Sequence, residues 1–294
     1  MKSIPVIIAL TLLVLPGLAQ KGKVYSSLED ALKNPAEVYE LSLINKKLST
    51  VPSEIIQFIN LEALDLAGNK LTTLPGMLGD LSHLNSLNVS YNKFTEFPEI
   101  ITRLSGLTEL DISNNQLRYV PGAITNLVYL KKLYFNNNKL ASFPDFLCKL
   151  TSLTEIYLYG NIINNIPPEI SKLINLKEIG LGGNILTSLP PSMGSLNNLS
   201  YLAVSYNQIT EWPACISKMK NLTMLDLSGN KISTLPGNID ELKKLTELYL
   251  ESNKLHSLPE SITKLNDLVA INIQKNGSLK MSPAVREFIK DKKL

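Results

Sequence analysis

The stretch LEALDLAGNKLTTLPGMLGDLSH, residues 61–83, contains the unit from which most of the chain is built. Residues 107–129, LTELDISNNQLRYVPGAITNLVY, and residues 245–267, LTELYLESNKLHSLPESITKLND, align with it without a gap. A fixed internal period of roughly 20 to 50 residues is typical of a solenoid, in which each unit stacks on the next. The sequence therefore predicts one elongated repeat domain.

Two residue types mark the period of 23 residues. Asparagine returns at positions 69, 92, 115, 138, 161, 184, 207, 230, 253 and 276. Proline follows six residues after each of the first nine, and Pro52 extends the proline series backward, where Lys46 occupies the asparagine slot. Eleven units then occupy residues 38–281.

The fixed positions of one unit predict its local structure. Leu64 and Leu66 alternate with polar residues, which favours a short strand with one buried face. The amide of Asn69 could satisfy backbone groups of adjacent turns, as an apolar side chain could not. Pro75 suits the first position of a short convex helix, where a missing N–H costs nothing. Leucines at 78, 81 and 84 then return to the core.

Both ends of the repeat array carry helix signals that predict caps. In residues 20–37, Ser26 and Glu29 form a capping-box pattern before the apolar residues Leu28, Ala31 and Leu32. In residues 282–294, Ser282 and Pro283 open a second helix that would bury Val285, Phe288 and Ile289. We expect these helices to seal the first and last turns of the solenoid.

The unit pattern L-x-x-L-x-L-x-x-N-x-L resembles the leucine-rich repeat family, and its LPxxI portion resembles the Ras-suppressor type. The resemblance implies an α/β solenoid, a horseshoe with a concave parallel β-sheet and short convex helical or 3₁₀ segments. It also implies that the protein binds something, without naming the ligand. Secreted animal members usually have cysteine-rich caps, which this chain lacks, so it is more similar to exported bacterial members.

The first 19 residues resemble a secretory signal peptide. Lys2 precedes an apolar run over residues 4–15, and Gly17 and Ala19 supply the small residues that a signal peptidase requires, with cleavage before Gln20. The apolar run is shorter than the roughly 20 residues of a membrane span. We expect a secreted, periplasmic or cell-surface protein without a membrane span in its mature chain.

The sequence offers little material for catalysis. Its two cysteines, Cys148 and Cys215, and its two histidines, His83 and His256, lie in repeats that are too far apart to form a catalytic or metal-binding set. The glycine-rich stretch EIGLGGN at 178–184 lacks the third glycine of a dinucleotide fingerprint, because Ile185 occupies that position. We therefore expect no enzymatic activity, no metal site and no cofactor.

Four positions in each unit are expected to face outward from the concave sheet, and their charge is biased. Nine are acidic and two are basic: Glu40, Asp65, Glu109, Asp111, Glu155, Glu178, Asp226, Glu247 and Glu251, against Lys132 and Lys275. An acidic lining disfavours nucleic acid. It would attract a basic patch on a protein partner, or it serves only to keep an exposed sheet hydrated.

Tyrosines are concentrated in the same positions, which hold seven of the eleven: Tyr91, Tyr134, Tyr157, Tyr159, Tyr201, Tyr206 and Tyr249. Three glycines of EIGLGGN lie between two groups of these tyrosines. We expect a notch with a bare backbone floor and aromatic walls. The predicted binding patch comprises Tyr134, Asn136, Glu155, Tyr157, Tyr159, Glu178, Gly180, Gly182, Gly183, Tyr201 and Tyr206.

Three functions are compatible with this surface. The protein binds a protein partner across repeats five to eight, using tyrosine as a contact residue of large area. Alternatively, the tyrosine faces stack on sugar rings and the protein binds a glycan, or the solenoid is a structural spacer of the envelope. The sequence favours the protein partner.

Overall fold

The computed structural model describes residues 22–292 of the 294-residue chain. The predicted signal peptide lies outside the described residues, as do the first two residues of the predicted N-terminal cap. Within the described part, no helix is long and apolar enough to cross a membrane.

Twelve strands form a single parallel sheet whose spatial order is the order of the chain. From β2 onward, each residue pairs with the residue 23 positions later, as Leu64 of β3 pairs with Leu87 of β4. The strands are β1 (Val24–Tyr25), β2 (Glu40–Ser42), β3 (Ala63–Asp65), β4 (Ser86–Asn88), β5 (Glu109–Asp111), β6 (Lys132–Tyr134), β7 (Glu155–Tyr157), β8 (Glu178–Gly180), β9 (Tyr201–Ala203), β10 (Met224–Asp226), β11 (Glu247–Tyr249) and β12 (Ala270–Asn272).

The opposite side of the solenoid consists of short 3₁₀ segments. Leu78 donates its N–H to the carbonyl of Pro75, and both Leu78 and Leu81 are buried. The segments are Pro35–Glu37, Ser53–Gln57, Gly76–Asp80, Glu99–Arg103, Gly122–Asn126, Asp145–Lys149, Pro168–Lys172, Pro191–Ser195, Ile216–Lys218, Ile239–Glu241 and Glu260–Lys264. The horseshoe predicted from the repeat is confirmed.

In eight of the ten convex segments that follow a repeat proline, the proline lies one residue earlier than predicted. Pro75 is the N-cap of its 3₁₀ segment, with φ −72° and ψ 147°, and helical geometry begins at Gly76. Its carbonyl accepts the first hydrogen bond of the turn. Proline suits this extended position because its ring fixes φ near the observed value.

Each repeat asparagine links its own turn of the solenoid to the preceding turn. Asn184 donates its side-chain amide to the carbonyls of Leu158, Leu181 and Gly182, at 3.0, 2.9 and 3.3 Å. Its Oδ1 accepts the N–H of Ile163 at 2.9 Å. The same pattern recurs from Asn69 to Asn276. The predicted role of these asparagines is confirmed, since each satisfies backbone groups that a leucine would leave unpaired.

The residue directly before each repeat asparagine has a left-handed backbone. From Asn45 to Lys275, its φ lies between 51° and 69° in all eleven units. Gly183 is one of these residues, with φ 65°, and Tyr206 is another, with φ 51°. Glycine adopts this conformation without strain, so the backbone alone explains one glycine of EIGLGGN.

The first cap begins one residue later than predicted. Ser27, rather than Ser26, is the N-cap of α1 (Leu28–Ala31), and its hydroxyl accepts the N–H of Asp30 at 3.3 Å. The capping side chain must face the third helical residue, which fixes Ser27 because helical geometry starts at Leu28. The cap also contributes β1, a strand that the sequence pattern did not predict.

The second cap has the predicted form. Ser282 caps α2 (Pro283–Phe288) and accepts the N–H of Val285 at 3.2 Å, while Val285 and Ile289 are fully buried. Beyond the helix, the carbonyl of Lys292 accepts the N–H of Ile271 in β12. The last strand therefore has a hydrogen-bond partner on its outer edge, which protects it from pairing with another chain.

Candidate functional site

Strand register brings the central tyrosines of the concave face together. Tyr134, Tyr157 and Gly180 occupy equivalent positions on β6, β7 and β8 and are direct neighbours. Tyr201 lies on β9, and Tyr159 follows β7 by two residues. We call Tyr134, Tyr157, Tyr159 and Tyr201 the tyrosine platform.

The rings of the platform contact one another. Tyr134 and Tyr157 stack with ring centroids 5.3 Å apart and planes 2° apart. Tyr157 stacks in turn on Tyr159 at 6.0 Å and meets Tyr201 at 6.4 Å in a tilted arrangement. Contacts in this distance range are favourable for aromatic pairs. The platform is a continuous aromatic layer across the concave sheet.

Two platform hydroxyls donate to carboxylates of the adjacent repeat. Tyr134 donates to Glu155 at 3.1 Å, and Tyr157 donates to Glu178 through a short hydrogen bond. Glu155 also forms an ion pair with Lys132, with 3.2 Å between Nζ and Oε1. The acids at the platform are therefore structural acceptors for tyrosine.

A third hydroxyl contact crosses the glycine strand. The hydroxyls of Tyr159 and Tyr201 lie 2.7 Å apart, so they are hydrogen-bonded over β8. Asn136 fixes the other end of this bridge, because its Oδ1 accepts the backbone N–H of Tyr159 at 2.9 Å. Tyr159 is therefore held both at its backbone N–H and at its hydroxyl.

The bridge fills most of the predicted notch. A Cβ on Gly180 would overlap the ring of Tyr159, and a Cβ on Gly182 would come within 2.9 Å of Tyr159 Cδ1 and of Ser205 Oγ. Both glycines are buried. The expectation of a bare floor at these two glycines was wrong, because the side chain of Tyr159 leans along the sheet and covers them.

An opening remains at Gly183. This glycine is exposed, and a Cβ there would meet only backbone atoms of Gly160, at 3.4 and 3.5 Å. Gly160 has no side chain to cover its neighbour. In the same row of the next repeats, the ring of Tyr206 lies over Gly229. The uncovered backbone of the site is therefore one glycine wide.

The predicted patch residues differ widely in exposure. Tyr134 and Tyr157 are buried, with exposed fractions of 6% and 8%, although we expected them to stand out from the sheet. Neighbouring rings cover their faces. Tyr159 and Tyr201 are half-buried, whereas Tyr206 is 64% exposed. Of the eleven patch residues, Tyr206 and Gly183 are therefore exposed, whereas Asn136, Glu155 and Glu178 are half-buried like Tyr159 and Tyr201. These seven residues are accessible to a partner.

Burial keeps the platform hydroxyls protonated. It raises the pKa of Tyr134, Tyr157, Tyr159 and Tyr201 above the ordinary tyrosine value, and nearby carboxylates or hydroxyls raise the first three further. The same causes raise the pKa of Tyr249, which donates to Glu247, to about 12. These tyrosines are neutral hydrogen-bond donors throughout the physiological range.

The acidic lining continues on the N-terminal side of the platform. Burial raises the pKa of Asp65, Glu109 and Asp111 above the ordinary carboxylate range. Both concave lysines are already paired with acids, since Lys275 lies 3.2 Å from Glu251. A cationic group from a partner would relieve this desolvated negative charge.

Groups capable of other chemistry lie elsewhere and are inert. Cys148 and Cys215 are buried free thiols, and burial raises their pKa to about 12 and about 11. A raised pKa leaves little thiolate for nucleophilic attack. Within residues 22–292, no three histidine, cysteine, aspartate or glutamate side chains lie together in a set that could hold a metal ion.

Sequence reasoning missed part of the site. It did not single out Gly160, whose lack of a side chain leaves Gly183 open, or Ser113, whose hydroxyl accepts the backbone N–H of Asn136 at 3.1 Å. The period of 23 residues places both beside the patch, so listing equivalent positions of adjacent units would have found them.

Family models match most of the repeat array. The model described as leucine rich repeat matches residues 36–94, 151–209, 174–232 and 213–255, and the leucine-rich repeat region model matches residues 76–179. The first model alone covers more than half of the chain. The chain belongs to the leucine-rich repeat family. Proteins of this family are generally non-catalytic interaction scaffolds.

Solved leucine-rich repeat structures resemble the protein along most of its length. A Leptospira interrogans leucine-rich repeat protein is 28% identical, with a TM-score of 0.53 over 91% of this chain and 97% of that one. The ectodomain of the Arabidopsis thaliana receptor kinase GASSHO1/SCHENGEN3, solved with CASPARIAN STRIP INTEGRITY FACTOR 2, is 30% identical, with a TM-score of 0.69 over 80% of this chain. The plant peptide hormone receptor RGFR1, solved with RGF2, is 26% identical, with a TM-score of 0.67 over 83%.

This leucine-rich repeat protein spans only 32% and 43% of the two plant receptor chains. None of the curated proteins compared with it matches by sequence. The comparisons support an interaction scaffold and leave its partner open.

Proposed function

We propose that this leucine-rich repeat protein is an exported, non-catalytic binding protein of the 23-residue LPxxI, Ras-suppressor-like type, and that it is bacterial. Its signal-like N-terminus and its caps without cysteine pairs support export from a bacterial cell. Its concave face binds a protein partner across repeats five to eight. The partner-binding patch comprises Tyr134, Asn136, Glu155, Tyr157, Tyr159, Glu178, Gly180, Gly182, Gly183, Tyr201 and Tyr206. Within it, the buried Tyr134, Tyr157, Gly180 and Gly182 support the seven residues that a partner can contact.

The observation that carries this proposal is the aromatic layer with an adjoining gap. Tyr159 and Tyr201 present half-buried rings, Tyr206 stands exposed, and Gly183 leaves bare backbone between them. A preordered tyrosine surface offers contact area and hydroxyl groups at a small entropic cost. A partner side chain would seat at Gly183, with aromatic contacts on both sides.

Electrostatics favour a partner with a basic patch. The acids that flank the platform are half-buried, and those at Asp65, Glu109 and Asp111 are destabilised by desolvation. Approach of lysine or arginine side chains would be favourable and fast at low ionic strength. The same lining argues against nucleic acid as the partner.

The similar plant receptor structures support a protein or peptide ligand, since RGFR1 is described as a peptide hormone receptor bound to RGF2. The Leptospira protein supports a bacterial origin, because it matches nearly end to end.

Filling the gap at Gly183 tests the proposal. Gly183→Tyr adds a ring at the opening, and the fold tolerates tyrosine there because Tyr91 and Tyr206 occupy the equivalent slot. Gly277→Tyr is the control, since Gly277 has the same φ of 65° and open space around it but lies at the last repeat. Proteins captured by each exported variant would be compared with those captured by wild type, using quantitative mass spectrometry.

We expect Gly183→Tyr to lose at least 90% of the captured partner and Gly277→Tyr to retain it. Equal capture by both variants would place the partner elsewhere on the solenoid and defeat the proposal.

A glycan is the alternative ligand, favoured by the half-buried tyrosine faces beside Glu178 and Asn136. A glycan array probed with the same two variants separates the alternatives. Sugar binding that Gly183→Tyr abolishes and Gly277→Tyr preserves would replace the protein partner with a glycan.

A further inference from the structure

The residue directly after each repeat asparagine forms an exposed row along one edge of the concave face, which we call the rim row. Six of its members are lysines: Lys47, Lys70, Lys93, Lys139, Lys231 and Lys254. Within residues 22–292, none of these six lysines forms an ion pair. Lys139 donates a hydrogen bond to Gln116 Oε1 at 3.0 Å, which leaves its charge without a carboxylate partner. The rim row is therefore a line of positive charges that no acid neutralises.

Two adjacent repeats break this line with apolar side chains. Ile162 and Ile185 occupy the rim row in repeats six and seven, where their exposed fractions are 51% and 41%. In the same row, Gln116 comes one repeat before Lys139 and Gln208 comes one repeat after Ile185. Other exposed apolar residues, such as Ile59, lie in rows that do not carry a regular series of charged side chains.

The fold does not require isoleucine at these positions. The N–H of Ile162 donates to Leu140 and that of Ile185 to Ile163, both at 3.0 Å. The N–H of Lys139 makes the equivalent bond to Leu117 at 2.8 Å. Backbone geometry is therefore the same with lysine, and the isoleucine side chains face solvent. A pair of neighbouring exposed apolar residues in a charged row is typical of a contact surface.

The isoleucines adjoin the open end of the binding patch. Gly160 lies two residues before Ile162, and Gly183 lies two residues before Ile185. Because both are glycines, they place no side chain between the rim row and the tyrosine platform. The amide of Asn137 covers Gly160, while Gly183 stays open. A partner bound at Gly183 can therefore contact Ile185 as well, because no side chain of Gly183 lies between the two positions.

We propose that the rim row at Ile162 and Ile185 is a second contact surface for the same partner. This inference rests on the proposed protein-binding function. The partner segment on this edge carries two neighbouring apolar side chains flanked by carboxylates. Lys139 lies one repeat before Ile162 and Lys231 lies two repeats after Ile185, about 5 and 10 Å along the sheet. Acidic groups beside the apolar pair would meet these two lysines, neither of which has an acidic partner.

The test uses a random 16-residue peptide library displayed on phage and selected on the full-length protein. Selected peptides are synthesised, and their dissociation constants are measured with wild type, with Ile162→Lys/Ile185→Lys and with the control Ile59→Lys/Ile174→Lys, which changes two isoleucines that are 65% and 60% exposed in another row. Lysine already occupies six positions of the rim row, and Lys220 and Lys243 occupy the row of Ile59 and Ile174, so both double variants should preserve the fold. Gly183→Tyr is included to report on the platform.

We expect selected peptides to carry adjacent apolar residues flanked by Asp or Glu. Ile162→Lys/Ile185→Lys should weaken the binding of these peptides at least tenfold, and Ile59→Lys/Ile174→Lys less than twofold. If Gly183→Tyr weakens the binding of the peptides and Ile162→Lys/Ile185→Lys does not, the rim contact is overturned and the proposed function stands. Selection that yields no peptide sensitive to either variant would overturn both.

Discussion

At the scale of single residues, the glycines of EIGLGGN have three different roles. Gly183 supplies a left-handed backbone and the opening. Gly182 accommodates Tyr159 and Ser205, and Gly180 accommodates the rings of Tyr159 and Tyr157. Absence of a Cβ is what allows the hydroxyl bridge between Tyr159 and Tyr201 to cross the strand.

Gly180→Ala tests this packing. The new methyl group overlaps Tyr159 and approaches Tyr157 Cδ1 at 2.7 Å, so one of the rings must leave its position. Overpacking of this kind costs about 1–3 kcal/mol of unfolding free energy. The measurement is urea denaturation of the variant and of wild type.

Gly237→Ala is its matched control, because a Cβ at Gly237 meets nothing within 4 Å. Its stability should be unchanged or raised by up to about 1 kcal/mol, since alanine restricts the unfolded chain. If Gly180→Ala unfolds at the same urea concentration as Gly237→Ala, the ring of Tyr159 does not occupy the glycine strand in solution.

The sequence predicted residue positions better than residue environments. Periodicity placed Tyr134 and Tyr157 on the concave side correctly, because strand alternation determines the face. It could not predict that their rings lie flat against one another, since the lean of a side chain along the sheet depends on the residues of the next repeat. The capping-box pattern indicates Ser26 instead of Ser27 for a similar reason, because the two serines are adjacent and only backbone geometry distinguishes them.

At the scale of structural elements, strands β6 to β9 act together through their tyrosines. Burial raises the pKa of Tyr134, Tyr157 and Tyr159 above the value of about 10 expected in the unfolded chain. The folded state therefore holds these protons more tightly than the unfolded state. Their contribution to stability is fully present below about pH 10 and is lost as the pH rises above that value.

We predict that the unfolding free energy falls above about pH 10, with each of these tyrosines adding a slope of at most about 1.4 kcal/mol per pH unit. Urea denaturation between pH 8 and pH 11 measures the profile. Replacing all three with phenylalanine should make the fall shallower than in wild type. An identical fall in the triple variant would show that these hydroxyls are not buried as described.

At the scale of the whole molecule, the solenoid is close to one-dimensional. Strands and convex segments pack chiefly on the strand and segment before and after them. Stability of such a protein is approximately a sum over repeats and their interfaces. The repeat period alone was enough to predict this architecture, because every unit buries the same positions against its two neighbours. The added strand β1 has no counterpart in the period, which is why it was missed.

Removing one complete repeat should therefore leave a folded protein. Deleting residues 162–184 joins Asn161 to Ile185, and deleting residues 70–92 joins Asn69 to Lys93, so both keep the register of 23. Circular dichroism and urea denaturation should show cooperative unfolding for both, with similar losses of stability. Only the deletion of 162–184 removes β8 and Gly183, and only it should abolish partner capture.

A deletion of 70–92 that fails to fold would contradict the one-dimensional account. Partner capture that survives the deletion of 162–184 would instead move the binding surface away from repeats five to eight.

In our proposal, repeats five to eight bind the partner through accessible side chains on the concave face. Tyr206 and Tyr91 form a natural pair for testing it, because they occupy the same slot of the repeat with φ of 51° and 53° and exposed fractions of 64% and 63%. Asparagine occupies this slot at Asn114 and Asn137, so both variants to asparagine should keep the fold.

The decisive measurement is the dissociation constant of the captured partner for Tyr206→Asn and for Tyr91→Asn. Loss of a tyrosine contact at the centre of an interface costs more than about 1.4 kcal/mol, which corresponds to a tenfold change. We predict at least tenfold weaker binding for Tyr206→Asn and less than twofold for Tyr91→Asn. Equal dissociation constants for the two variants would contradict the account.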